Sequence, residues 1–172
     1  VLCANVPEMM LAGHPEIRKA CRENDLGIVW CPQSFFNFKR FGPEKKLANA
    51  EAVAAYFEST TRTASSPTTV INAAGISRPG YFLELPADAF TQAMAVNYFG
   101  TVNILRHAVP TMLANRSGAI LNIGSVGSLI GVFGMAPYCG SKFAVRGLTE
   151  ALRSELAPQG IRVCLLCPPD TD

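Results

Sequence analysis

Tyr138 and Lys142 stand four residues apart in the stretch Ala136-Pro137-Tyr138-Cys139-Gly140-Ser141-Lys142-Phe143-Ala144-Val145. A phenol held beside an ammonium is a proton-transfer pair. Pro137 suits the opening turn of a helix, because the N–H it lacks would have no intrahelical partner there and its fixed φ is already helical. The spacing therefore predicts that both side chains project from one face of the first turns. An unperturbed phenol titrates near about 10, and a fixed cation next to it favours the phenolate, each pH unit of lowering corresponding to roughly 1.4 kcal/mol. Such a pair serves a general acid or base working near neutral pH. Spacing alone does not separate it from a solvated surface pair, so the case rests on the elements around it.

Those elements alternate. Asn49 is placed to cap a helix through Ser59, with Val53, Ala54, Tyr56 and Phe57 on one side. Thr68-Thr69-Val70-Ile71 is a β-branched run of the buried parallel type and ends in Asn72-Ala73-Ala74-Gly75. A long helical pattern opens at Pro86 or Asp88 and runs through Phe90, Met94, Asn97, Thr101 and Leu105 past Pro110, which is expected to kink it. Ala119 to Ile123 forms the next strand, with Gly124-Ser125-Val126-Gly127-Ser128 at its carboxyl end. The helix bearing Tyr138 is expected to run to Leu156, burying Phe143, Ala144, Leu148, Ala151, Leu152 and Leu156. Pro158-Gln159-Gly160 stops it, and Ile161 to Cys167 makes a third apolar strand before Pro168-Pro169. Alternating buried-type strands and helices imply right-handed crossovers and a parallel sheet covered on both faces. In such sheets ligands gather at the carboxyl ends of the strands, where Asn72 to Gly75, Ser125 and Pro168 fall.

Composition narrows the function classes. Fifteen Lys and Arg against thirteen Asp and Glu leave a net charge of +2, with no basic run longer than Lys45-Lys46, so the electrostatic footprint of a nucleic-acid binder is missing. No apolar run reaches the roughly 18 to 20 residues of a spanning helix, and the expected compartment is cytoplasmic. Cys3, Cys21, Cys31, Cys139, Cys164 and Cys167 are dispersed as reduced thiols would be. Cys164 and Cys167 form a C-x-x-C inside an apolar run with no second pair to complete a metal site, and are expected as small buried residues. His14 and His107 lie far apart. Residues 1–44 are the least regular part: Pro15 to Asn24 suggests a short helix, Leu26 to Trp30 a brief strand, and the phenylalanines between Gln33 and Pro43 a buried loop in preference to a partner-facing patch. The expected division is an unassigned segment 1–44 and a partial domain 45–172.

Asn72-Ala73-Ala74-Gly75, Asn97 in the following helix, Ser125 thirteen positions before Tyr138, and Tyr138-x-x-x-Lys142, in that order, resemble the short-chain dehydrogenase/reductase family over roughly Asn49 to Asp172. The resemblance implies a Rossmann-like, doubly wound α/β fold and transfer of hydride between NADP, or NAD, and a ketone or secondary alcohol. It implies four catalytic residues. Tyr138 would be the acid that protonates the substrate oxygen, and Lys142 would lower the Tyr138 pKa and hold the nicotinamide ribose. Ser125 would polarise the carbonyl, and Asn97 would position Lys142 and a relay water. Asn72, Ala73, Gly75, Tyr138, Lys142 and Pro168 would contact the cofactor, no metal being required. It also implies a homodimer or homotetramer formed through the two long helices.

Ser141 to Leu152 and Cys167-Pro168-Pro169-Asp170-Thr171-Asp172 resemble, more narrowly, the 3-ketodihydrosphingosine reductases. That branch implies a lipid-like ketone as the small-molecule substrate, NADPH as reductant, and the cytosolic face of the endoplasmic reticulum. Steroid, retinoid and fatty-acyl carbonyls stay open as substrates. The family's glycine-rich turn after the first strand is absent before Asn72; Gly13, Gly27 and Gly42 are isolated. Two expectations follow. Either the chain is a fragment whose missing ends complete the nucleotide site, or residues 1–44 replace the usual first β-α-β unit. A dehydrogenase-like module without catalysis is the alternative function.

Overall fold

The computed structural model describes residues 2–4, 29–30, 47–61 and 67–168. The expected helix at 15–24, the phenylalanine cluster between 33 and 43, and the end of the chain at 169–172 lie outside the described residues.

Five strands form one parallel sheet in the order β2-β1-β3-β4-β5. They are β1 (Leu2–Ala4), β2 (Val29–Trp30), β3 (Thr69–Asn72), β4 (Gly118–Ile123) and β5 (Ile161–Leu166). β1 pairs with β3 through Cys3 opposite Ile71, and with β2 through Cys3 opposite Trp30. The first strand, which periodicity cannot locate, is thus Leu2–Ala4. The chain steps outward from β1 to β2 and then returns to β3 on the other side of β1. That reversal opens the crevice at which parallel sheets bind ligands. Asn72, the last residue of β3, stands on its rim.

The helices are α1 (Ala50–Thr61), α2 (Asp88–Ala93), a π-helical turn (Met94–Phe99) that continues α2, α3 (Gly100–Asn115) and α4 (Ala136–Leu156). Asn49 caps α1, its Oδ1 accepting the Ala52 N–H at 3.0 Å, as expected for this residue type. The core joins Val53 and Phe57 of α1, Ile104, Leu105, Ala108 and Met112 of α3, Val70 of β3, Ile120 of β4, Leu156 of α4, and Ile161 and Val163 of β5. Each of these side chains other than Ala108 contributes roughly 1.5–3 kcal/mol on leaving water.

α3 continues past Pro110 to Asn115, as expected, and a π-helical turn at Met94–Phe99 precedes it, a wider turn of the kind found at functional sites. Two expectations are corrected. In α4 the residues turned inward are Cys139, Ser141, Lys142, Val145, Thr149 and Leu156, while Phe143 is 43% exposed and Ala151 is exposed. Polar side chains occupy the inward face because each finds a buried hydrogen-bond partner there, which removes the cost of burying it. Cys164, expected inside, points outward: β5 alternates, with Ile161 and Val163 facing the core.

α4 ends in a short 3₁₀ turn and Gly160, whose φ is 82°. A Cβ at Gly160 would collide with the carbonyl oxygen of Arg116. Only glycine lets β5 begin there, tight against the end of α3.

Candidate functional site

The carboxyl ends of β3, β4 and β5 are adjacent, with Asn72 opposite Asn122 and Ile123 opposite Leu166. The segments that follow them therefore share one edge of the sheet, over which α4 begins. Pro137 lies in the first turn of α4, and the Cys139 N–H bonds to Met135 O at 2.8 Å. Tyr138 is half-buried at this opening turn; Lys142, one turn on, is 5% exposed.

Lys142 reaches under the edge of the sheet. Its Nζ donates to Ile123 O at 2.8 Å and lies 5.7 Å from the centre of the Tyr138 ring. Burial lowers its pKa from 10.5 to about 8, partly opposed by the sulfur of Cys167. The physical cause is loss of hydration of the ammonium, which a single carbonyl replaces only in part.

Gly75 marks the open side of this centre. A Cβ placed on it would stand 3.4 Å from Asn97 Oδ1 and 3.5 Å from Lys142 Nζ. Gly75, Asn97 and Lys142, far apart in the chain, thus face one gap, and the exposed glycine keeps that gap accessible. Asn97 sits in the π-helical turn and is 1% exposed. Its Oδ1 accepts the Ile76 N–H at 2.8 Å; its Nδ2 donates to Ile76 O at 3.0 Å and to Ser141 Oγ at 2.7 Å. The amide clamps the segment after β3 through both of its ends.

Ser125 caps the 3₁₀ turn Val126–Ser128: its Oγ accepts the Gly127 N–H at 3.1 Å, and its own N–H bonds to Ser128 Oγ at 3.0 Å. Capping uses an acceptor lone pair and leaves the hydroxyl proton able to serve a ligand oxygen. The turn is held against Tyr138, since a Cβ on Gly127 would meet the ring at 3.3 Å. Ser125 and Tyr138 thus share Gly127 as a neighbour. Pro168 follows β5 on the same edge and is half-buried, as is Ala73.

Asn72 is placed differently. Its Nδ2 donates to Asn122 Oδ1 at 2.8 Å, Asn122 Nδ2 donates to Thr149 Oγ1 at 2.9 Å, and Thr149 Oγ1 donates to Val145 O at 2.6 Å. This buried chain ties β3 to β4 and β4 to α4, so the Asn72 side chain holds the rim in place and leaves contact with a ligand to the backbone. Asn122, Ser128, Ser141 and Thr149 carry polar links that the sequence-based argument leaves unassigned. Their one signal was chemical: small polar residues inside an otherwise apolar strand or at inward positions of a helix.

Among the described residues, those that suit a Rossmann-type dinucleotide suit only its nicotinamide end: Lys142 Nζ, beside the exposed backbone of Gly75, would hold a ribose there. Among the described residues, no three His, Cys, Asp or Glu side chains gather as a metal site, and Cys139, Cys164 and Cys167 are free thiols. Also among the described residues, no helix is long and apolar enough to cross a membrane.

The chain is 45% identical over 105 residues to a 3-ketodihydrosphingosine reductase of Dictyostelium discoideum, an alignment covering 60% of this chain and 31% of that protein. It is 37% identical over 128 residues to a Xanthobacter autotrophicus protein named inactive 2-(S)-hydroxypropyl-CoM dehydrogenase 2, covering 74% of this chain and 56% of the relative. A crystal structure of a gluconate 5-dehydrogenase from Burkholderia cenocepacia, in complex with NADP and tartrate, superposes with a TM-score of 0.70 at 30% identity, covering 73% of this chain and 50% of that one. The chain thus spans between about a third and a little over half the length of these proteins. Residues 38–172 match the family described as short chain dehydrogenase, and to that family the chain belongs.

Proposed function

We propose that this chain carries the catalytic half of an NADP-dependent reductase acting on a long-chain, lipid-like ketone, with 3-ketodihydrosphingosine as the substrate. The observation that carries the proposal is the convergence of Gly75, Asn97 Oδ1 and Lys142 Nζ beside the Tyr138 ring. The substrate assignment is supported by the name of the Dictyostelium relative, and the choice of NADP by the ligand of the gluconate 5-dehydrogenase neighbour. NAD is the second cofactor candidate. The cytosolic face of the endoplasmic reticulum is the matching location. A homodimer or homotetramer is proposed through the long helices, on which Phe99 and Phe143 are 51% and 43% exposed.

The residues divide the work as follows. Lys142, Gly75, Ala73 and Pro168 would hold the nicotinamide end of the cofactor, which when bound supplies the hydride to the carbonyl carbon. Ser125 donates its hydroxyl proton as a hydrogen bond to the carbonyl oxygen and polarises it. Tyr138 transfers its phenolic proton to that oxygen as charge develops, becoming a phenolate. The Lys142 ammonium stabilises the phenolate electrostatically until solvent returns the proton. Asn97 fixes the segment after β3 beside Lys142.

A dehydrogenase-like module with weak cofactor affinity is the second reading. It is favoured by the sequence after β1, Asn5-Val6-Pro7-Glu8-Met9-Met10-Leu11-Ala12, which has no glycine to let a pyrophosphate approach the backbone. Titration of NADPH or NADH by nicotinamide fluorescence separates the two. No binding at millimolar cofactor would sink the enzyme reading for this chain. If cofactor binds, Tyr138→Phe is expected to abolish turnover of the ketone with cofactor affinity nearly unchanged.

A further inference from the structure

Two hydroxyls on α4 are used in the same way. Ser141 Oγ donates to Tyr138 O at 2.7 Å and accepts Asn97 Nδ2 at 2.7 Å; Thr149 Oγ1 donates to Val145 O at 2.6 Å and accepts Asn122 Nδ2 at 2.9 Å. Both residues are fully buried. A serine or threonine bonding back to its own helix is ordinary. Receiving a buried amide from another element is not, and it makes each hydroxyl a bridge.

The two bridges end in different places. The one at Thr149 lands on Asn122, inside the sheet. The one at Ser141 lands on Asn97, whose oxygen lines the gap at Gly75 together with Lys142 Nζ. With Ser141 in place both Nδ2 hydrogens of Asn97 are used and its Oδ1 is held on the Ile76 N–H. Without the Ser141 hydroxyl one buried Nδ2–H has no acceptor. The amide must then shift toward another partner, and the clamp on Ile76 and the wall of the gap shift with it.

We propose that Ser141 is a positioning residue of the reaction: it fastens the Asn97–Ile76 clamp to the opening turns of α4, and so sets the segment after β3 relative to Tyr138 and Lys142. The proposal rests on the reductase reading above and adds a residue to it.

The test compares Ser141→Ala, Ser141→Thr and Thr149→Val by steady-state ketone reduction and thermal denaturation. Ser141→Cys, nearly isosteric but a weak hydrogen-bonding group, stands in for Ser141→Ala if that variant does not fold. Ser141→Ala is expected to lower kcat roughly 10- to 100-fold, the scale of a sub-ångström to ångström misplacement, with the ketone KM within about twofold. Ser141→Thr, which keeps the hydroxyl, recovers most of the rate. Thr149→Val lowers the Tm with kcat nearly unchanged. The double variant Asn97→Ala, Ser141→Ala is no slower than Asn97→Ala alone, as for two residues acting as one unit. A Ser141→Ala enzyme with lowered Tm and unchanged kcat overturns the proposal, as does a double variant slower by the product of the two single losses.

A wild-type chain that binds NADPH but reduces no ketone refutes the functional reading separately. The positioning role is then decided by NMR of the same chain. Ser141→Ala must move the Tyr138 ring and Asn97 side-chain amide resonances while Thr149→Val leaves them in place; unmoved Tyr138 and Asn97 signals overturn it.

Discussion

Replacing Lys142 with Met isolates what the buried ammonium does to the fold. Burial lowers its pKa from 10.5 to about 8, against a smaller opposing pull from Cys167. At about 1.4 kcal/mol per pH unit, that lowering corresponds to about 3 kcal/mol of destabilisation carried by the charged form. The folded-state pKa lies below the unfolded one, so between about pH 8 and 10.5 the unfolded chain binds more protons and this group's contribution to stability rises with pH. Below pH 8 the penalty is fully present. Met removes the charge and also the hydrogen bond to Ile123 O, but it orphans that carbonyl equally at every pH. The quantity to measure is therefore the difference in unfolding free energy between wild type and Lys142→Met, from urea denaturation at pH 7 and at pH 10. Wild type is expected to gain about 2–3 kcal/mol on the variant between the two pH values. A difference that stays flat, or that moves the other way, would show that hydration or an opposite charge keeps the ammonium at its ordinary pKa, and would refute the picture of a desolvated lysine at the site.

Gly75→Ala should leave the fold intact, since contacts of 3.4 and 3.5 Å are ordinary ones; loss of unfolded-state freedom even favours the variant by about 0.4–1 kcal/mol. Its NADPH affinity, measured by fluorescence titration, should nonetheless fall by roughly tenfold or more, because the methyl group fills the gap beside Lys142. Asn122→Ala should cost about 1–3 kcal/mol in chemical denaturation by stranding the buried Asn72 amide. Adding Asn72→Ala should cost much less than its own single-variant effect. Gly160→Ala should lower the Tm without altering cofactor titration, since its φ of 82° and the Arg116 carbonyl reject a side chain far from the site; an unchanged Tm would contradict the close approach of α3 and β5.

Legibility in the sequence followed the length of each element and the singleness of its signal. β3, β4, β5 and α1 were readable because a β-branched run or a capped amphipathic turn announces itself within a few residues. β2 falls within the strand expected at Leu26 to Trp30, whereas β1 was not readable, since three residues carry no period. On α4, Leu148, Leu152 and Leu156 meet the core as expected, but Phe143 and Ala151 were misplaced because apolar content was taken as the guide, and Ser141, Lys142 and Thr149 turn inward with hydrogen-bond partners supplied by Asn97, Ile123 and Asn122. The π-helical turn around Asn97, whose amide bonds to Ile76 across the crevice, had no signal in the sequence.

By itself the sequence determined the kinds of chemistry available and their order along the chain: Asn72 to Gly75, Asn97, Ser125, Tyr138 and Lys142, each beside a strand end or on a helix, because residue type and local spacing are properties of the chain. Only the tertiary structure decided how those groups meet. It turned the Asn72 amide into a fastening for β4, left the Ser125 hydroxyl proton free while its oxygen caps a turn, and set Gly75 as the open wall against Asn97 and Lys142. It also took the water from Lys142. The physical reason is that hydrogen-bond saturation and desolvation depend on every neighbour in space, and the neighbours of Asn97 and Lys142 come from strands and helices far apart in sequence.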